Sequence, residues 1–129
     1  GACTLPLADP LVRANVVVRS VIGRFLEHTR IFYFRVGSEE DLYLSSADWM
    51  NRNMLRRIEL AWPVPDARLR QRVIDECVVP YLHDTADSWF MQPDGTYQQA
   101  QATGALSAQT ELAKRHTLFA NAKMIQIAQ

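Results

Sequence analysis

Two short runs of the sequence carry residue types suited to phosphate chemistry. The first is Leu26-Glu27-His28-Thr29-Arg30, and the second is Ser45-Ser46-Ala47-Asp48-Trp49-Met50-Asn51-Arg52-Asn53. An imidazole exchanges a proton near neutral pH, and a cationic Arg with hydroxyl and amide donors stabilises negative oxygens. His28 with Arg30, Ser45, Ser46 and Asn53 is thus a candidate anion-handling set, supported by Asp48 and Arg52. Plainer readings stand beside it. A lone His at a helix end can serve as a partner of the helix dipole, and a Ser/Asp cluster can cap a turn. Trp49 and Met50 read as core, and His83 and His116 as solvated. Asp75 and Glu76 are adjacent and face different ways on a helix, a poor acid/base pair. The sequence has no Gly-rich phosphate loop, and Gly23 reads as a site of close packing.

The elements that must position these residues follow from periodicity. Gly1–Leu5 reads as a buried strand already under way, suggesting a piece of a longer protein, and Pro6 to Ala14 as a loop. Val18, Val21, Ile22, Phe25 and Leu26 fall at helical spacing, which predicts a helix from about Arg19 to His28. Arg30–Val36 and Leu42–Ser46 are strand-like runs around the polar turn Gly37–Asp41. This hairpin brings the polar cluster back to His28. A helical turn is expected within Ala47–Met54, and a strand over Arg57–Trp62. Pro65-Asp66 opens a helix with an apolar stripe of Leu69, Val73, Ile74 and Cys77, which Pro80 ends or kinks near Val79. Pro93-Asp94-Gly95 predicts a second hairpin, and Ser107 caps a last helix to about Lys123. The tail after Gln99 is expected to be peripheral.

Composition sets the class. The chain has 129 residues, 48% apolar and 22% charged, which suits one folded domain. With 14 basic and 14 acidic side chains the formal charge is zero, so nothing points to a nucleic-acid partner. Up to Leu60 every basic residue is Arg. Bidentate phosphate recognition and GC-rich codon usage both produce that bias. Cys3 and Cys77 lie in no zinc or redox spacing and read as reduced, buried thiols.

The series His28-x-Arg30, hairpin, Ser45-Ser46-Ala47-Asp48, Arg52-Asn53 and Arg57-x-Glu59 resembles the phospholipase D superfamily. Arg30 stands where that superfamily has Lys and Ser45 where it has Gly, so ordinary phospholipase chemistry is not implied. A longer resemblance rests on Arg19–His28, Tyr43–Asn53 and Gln92–Tyr97, above all the Arg-Phe-Leu-Glu-His and Ser-Ser-Ala-Asp-Trp-Met runs. These are similar to the last domain of the polyphosphate kinases. That resemblance implies an α/β phospholipase D-like fold, a mixed sheet with flanking helices. It places this domain over residues 1–99, with its first strand truncated, and a linker and peripheral helix over 100–129. It implies a phosphotransferase that moves the terminal phosphate of ATP reversibly onto polyphosphate. The phosphohistidine belongs to a preceding domain, and Mg²⁺ is bound mainly outside this chain. His28 is then the second site histidine and catalytic. Arg30, Ser45, Ser46 and Asn53 contact phosphate, and Asp48, Arg52 and Glu59 support them. ATP/ADP, polyphosphate, the preceding domains and further copies of the full-length protein are the expected partners. The expected location is cytoplasmic, with association at the membrane periphery. A non-catalytic assembly module and a phosphodiesterase are the competing readings.

Overall fold

A computed structural model describes residues 5–101 and 104–127. The chain divides into two compact units, Leu26–Val79 and the pair of flanking segments Gly1–Phe25 with Pro80–Gln129.

The Leu26–Val79 unit is built on the predicted hairpin. β2 (Ile31–Val36) and β3 (Glu39–Ser45) pair antiparallel with Ile31 opposite Leu44, and β4 (Ala61–Pro63) joins the far side of β3. The turn is tighter than expected, Gly37 and Ser38 alone. Gly37 has φ 61° and Ser38 does not have positive φ, the pattern of a turn whose twist matches its strands. Between β3 and β4 lies α2 (Asn51–Arg56). The expected Arg57–Trp62 strand is shorter and later. Arg57 to Leu60 stays outside the ladder, although Ser46 N still donates to Leu60 O at 3.0 Å. α3 (Ala67–Val73) starts where Asp66 Oδ1 accepts from the backbone N–H of Arg68 and Leu69, both at 2.9 Å. Pro80 does not end this helix. The chain widens into a π turn over Ile74–Val78 and continues as α4 (Val79–His83). A π turn lets the proline, which lacks an N–H, enter without ending the helix. Cys77, on that turn, is half-buried rather than buried, and loss of solvation pushes its thiol pKa up.

In the flanking unit the expected loop before Ala14 contains α1 (Pro10–Asn15), capped by Asp9, with Pro10 where a missing N–H is harmless. The expected helix from Arg19 to His28 is not formed. β1 (Arg19–Val21) pairs with β5 (Ser88–Met91), which pairs with β6 (Tyr97–Gln99), and residues 22–30 are irregular. The β-branched run prefers a pleated ladder, and its partner lies far along the chain. The residues that imitated a helical stripe are largely exposed, Ile22 at 66% and Leu26 at 87%. Arg19 secures β1: its guanidinium lies 4.7 Å from the centre of the Phe90 ring and donates to the α4 carbonyls of Tyr81 and Leu82. The Pro93–Gly95 turn is present, with Gly95 at φ 82°. α5 (Ala108–Ile127) runs beyond Lys123 and starts at the expected cap, where Ser107 Oγ accepts from Thr110 N at 3.3 Å.

The expected α/β class with helices around sheet is present. Where one mixed sheet was expected, the described strands form two three-stranded sheets, antiparallel throughout. Short links account for the β2–β3 and β5–β6 pairs, because parallel pairing needs long crossovers, whereas β1 meets β5 from far along the chain. The Gly1–Leu5 strand and Cys3 lie outside the described residues, except that Leu5 is not in a strand.

Candidate functional site

The hairpin brings most of the predicted residues together, all within the Leu26–Val79 unit. Ser45 N donates to Arg30 O at 2.9 Å, which registers the start of β2 against the end of β3. Arg30 Nε donates to Asp48 Oδ1 at 2.7 Å, and its Nη1 donates to His28 O at 2.9 Å. One guanidinium therefore ties the backbone of the His28 segment to the polar loop. Asn53 Nδ2 donates to Asp48 O at 3.2 Å, and Ser45 Oγ accepts from Ala47 N at 3.1 Å, so both hold that loop from inside. Ser46 Oγ donates to Glu59 Oε2 at 2.5 Å and accepts from Leu60 N at 3.0 Å. Arg57 Nε lies 3.4 Å from the other Glu59 oxygen.

These bonds sort the predicted set. His28, Ser46, Asp48 and Arg52 are exposed and can meet a ligand. Ser45 and Arg30 are half-buried. Asn53 is 4% exposed, and its Oδ1 has no hydrogen-bond partner, so the amide acts on the loop rather than at the surface. His28 has no helix to cap, which removes the dipole reading at this residue. Trp49 and Met50 are not core: Trp49 is 79% exposed and leans on Phe32 with ring centres 5.5 Å apart. As expected, His83 and His116 are exposed.

The hydrogen bond from Arg30 holds the Asp48 carboxyl below its usual range. Desolvation opposes this, and the charges of Arg30, His28 and Arg52 each add a smaller lowering effect. Arg30 is correspondingly pushed above its ordinary value. A depressed carboxylate stabilises the fold above its unfolded pKa and loses that contribution as pH falls through the folded value. The Arg30–Asp48 tie should thus persist at neutral pH and release only below the ordinary aspartate value of about 3.9. Carboxyl-carbon NMR titration should place the Asp48 midpoint under that value, and Arg30→Gln should return it upward. An unshifted midpoint in the parent protein would show the tie to be absent in solution.

Among the described residues no three His, Cys, Asp or Glu side chains converge on a cation position. Asp48 and Glu59, the acidic members of the cluster, already engage Arg30, Ser46 and Arg57.

Residues 1–110 match the sequence model described as polyphosphate kinase C-terminal domain 2. The chain belongs to that family. Among its curated relatives, the polyphosphate kinase of Burkholderia vietnamiensis is 48% identical over 102 residues, 79% of this chain and 15% of that protein. The polyphosphate kinase of Paraburkholderia phytofirmans is 50% identical over 99 residues, 77% of this chain and 14% of that protein. The crystal structure of polyphosphate kinase from Porphyromonas gingivalis superposes with a TM-score of 0.73 at 31% identity. It covers 80% of this chain and 16% of that one. The chain thus spans about 15% of the length of the curated polyphosphate kinases it matches. The matched stretch contains the whole polar cluster.

Proposed function

We propose that this chain is the part of an ATP:polyphosphate phosphotransferase that supplies the second histidine, His28, to the transfer site. The reading is carried by one observation: in a chain of this family, Arg30 binds Asp48 and the His28 carbonyl at once, holding an exposed imidazole segment against a loop of donors. The phosphoryl group passes from ATP through a histidine of the preceding domain to the end of the polyphosphate chain. His28 meets the nucleotide phosphates and moves a proton at its imidazole. Arg52 faces solvent and can contact phosphate oxygens, and the Ser46 hydroxyl can do so once its proton leaves Glu59. Arg30, Ser45, Asn53, Asp48 and Glu59 hold those groups in place. Mg²⁺ binds mainly outside this chain. Residues 1–99 form the phospholipase D-like domain, followed by a linker and terminal helix. The assembly is a homo-oligomer of the full-length protein, cytoplasmic and peripheral to the membrane. Among the described residues no helix is long and apolar enough to cross a membrane.

Residues 1–129 alone should transfer negligible phosphate from ATP, whereas the full-length polypeptide should make polyphosphate. Following label from the γ-phosphate of ATP into acid-insoluble polymer tests both. Robust synthesis by the isolated chain would overturn the missing-half proposal. Hydrolysis of a generic phosphodiester without kinase activity would favour the phosphodiesterase reading.

A further inference from the structure

Most arginines of the Leu26–Val79 unit already engage a carboxylate. Arg30 holds Asp48, Arg35 and Arg70 face Glu40, Arg57 faces Glu59, and Arg72 holds Glu76. Arg52, Arg56 and Arg68 are exposed, and none of the three forms an ion pair among the described residues.

Arg52 and Arg56 stand one turn apart on α2. Residues four apart on a helix share a face, with Cβ atoms about 5–6 Å from each other. Asn53, between them in sequence, is buried, and its amide donates to Asp48 O at 3.2 Å. That bond fixes the rotation of α2 about its own axis and leaves the arginine pair on the solvent side. Arg52 lies beside the polar cluster, where its charge acts on the Asp48 carboxyl together with those of Arg30 and His28. Arg56 lies one turn further along the helix. Each guanidinium offers a rigid fork of N–H donors that matches phosphate oxygens. A single phosphate fills one fork, whereas a linear chain of phosphates can lie across both.

We propose that Arg52 and Arg56 form a rail for the polyphosphate chain, and that Arg56 sets a preference for long chains over short ones. The inference rests on the phosphotransfer reading above and adds chain-length selectivity to it. Arg52 holds phosphates next to the transfer site, and Arg56 holds those further along the polymer. A short oligophosphate ends before it reaches Arg56.

The test uses the full-length polypeptide forming ATP from ADP and long-chain polyphosphate, with tripolyphosphate as a competitor of the long chain and melting curves for each variant. Arg56→Ala should raise KM for the long chain by about 10-fold, the scale of one lost charge-assisted contact. Ki for tripolyphosphate, KM for ADP and kcat should stay near parental. The rise of the long-chain KM with added salt should also become shallower, because fewer counterions are released. Arg56→Lys keeps the charge without the fork, so it should regain the parental salt dependence and only part of the affinity. Arg68→Ala removes an equal charge from α3 and should change neither constant. The rail is overturned if Arg56→Ala keeps the parental KM for the long chain, or if Ki for tripolyphosphate rises by the same factor. It is equally overturned if Arg68→Ala reproduces the effect, which would then be one of net charge. A parent polypeptide that neither makes nor consumes polyphosphate would instead remove the phosphotransfer reading, and the rail with it.

Discussion

Replacing His28 by alanine in the full-length polypeptide is expected to lower ATP-dependent polyphosphate synthesis by roughly 10²- to 10⁴-fold, the usual contribution of a positioned proton-transfer group. The fold should survive, for two reasons. The side chain is exposed, and the bond that ties His28 to Arg30 uses the backbone carbonyl, which alanine keeps. Equal melting temperatures for parent and variant would establish this. His28→Gln then separates two ways in which an imidazole can act. A glutamine still donates and accepts hydrogen bonds but cannot shuttle a proton at neutral pH. If His28 moves a proton, His28→Gln should be as slow as His28→Ala. Substantial recovery would mean that hydrogen bonding to phosphate suffices. Near-parental turnover in both variants would make the residue dispensable and favour an assembly role for the domain.

The second large effect is on stability. Asp84 is 1% exposed, and its two oxygens accept from Asp87 N and Ala108 N, each at 2.8 Å. It thereby turns the chain after α4 and caps the start of α5. Asp84→Ala removes a buried charged acceptor and strands two backbone donors, so it should cost roughly 2–5 kcal/mol of unfolding free energy. Asp84→Asn should lose less, because its carbonyl oxygen still serves one of the two N–H groups while its NH₂ opposes the other. Urea denaturation followed by circular dichroism measures both. If Asp84→Ala unfolds at the parental midpoint, these bonds do not hold the start of α5.

The parts legible in the sequence are those whose cause is local. Ile31–Val36 could form little but a strand, and Gly37 supplied the positive φ that turns it back. Asp66 and Ser107 marked helix starts because a short side chain at that place can reach the N–H groups of its own next turn. The Arg19–His28 stretch was misread for the opposite reason. Its apolar spacing suits a helix, and nothing nearby shows that Ser88–Phe90 is waiting to pair with it. Pro80 was legible as a disturbance, whereas its accommodation by a π turn was not. Gln109 gave no sign that its amide would take both backbone groups of Phe25, since a polar side chain near a helix start is common.

For His28 the division is clear. Residue order alone determined that the backbone at His28, an Arg and a polar loop would come together, because a hairpin returns its second strand to the start of its first. Tertiary structure decided what each group is free to do. Burial turned Asn53 inward, ion pairing committed Arg30 and Asp48 to one another, and His28 was left on an irregular segment tied to Arg30 through its carbonyl. Those outcomes depend on which groups are buried and which partner each one takes, and residue spacing does not encode either.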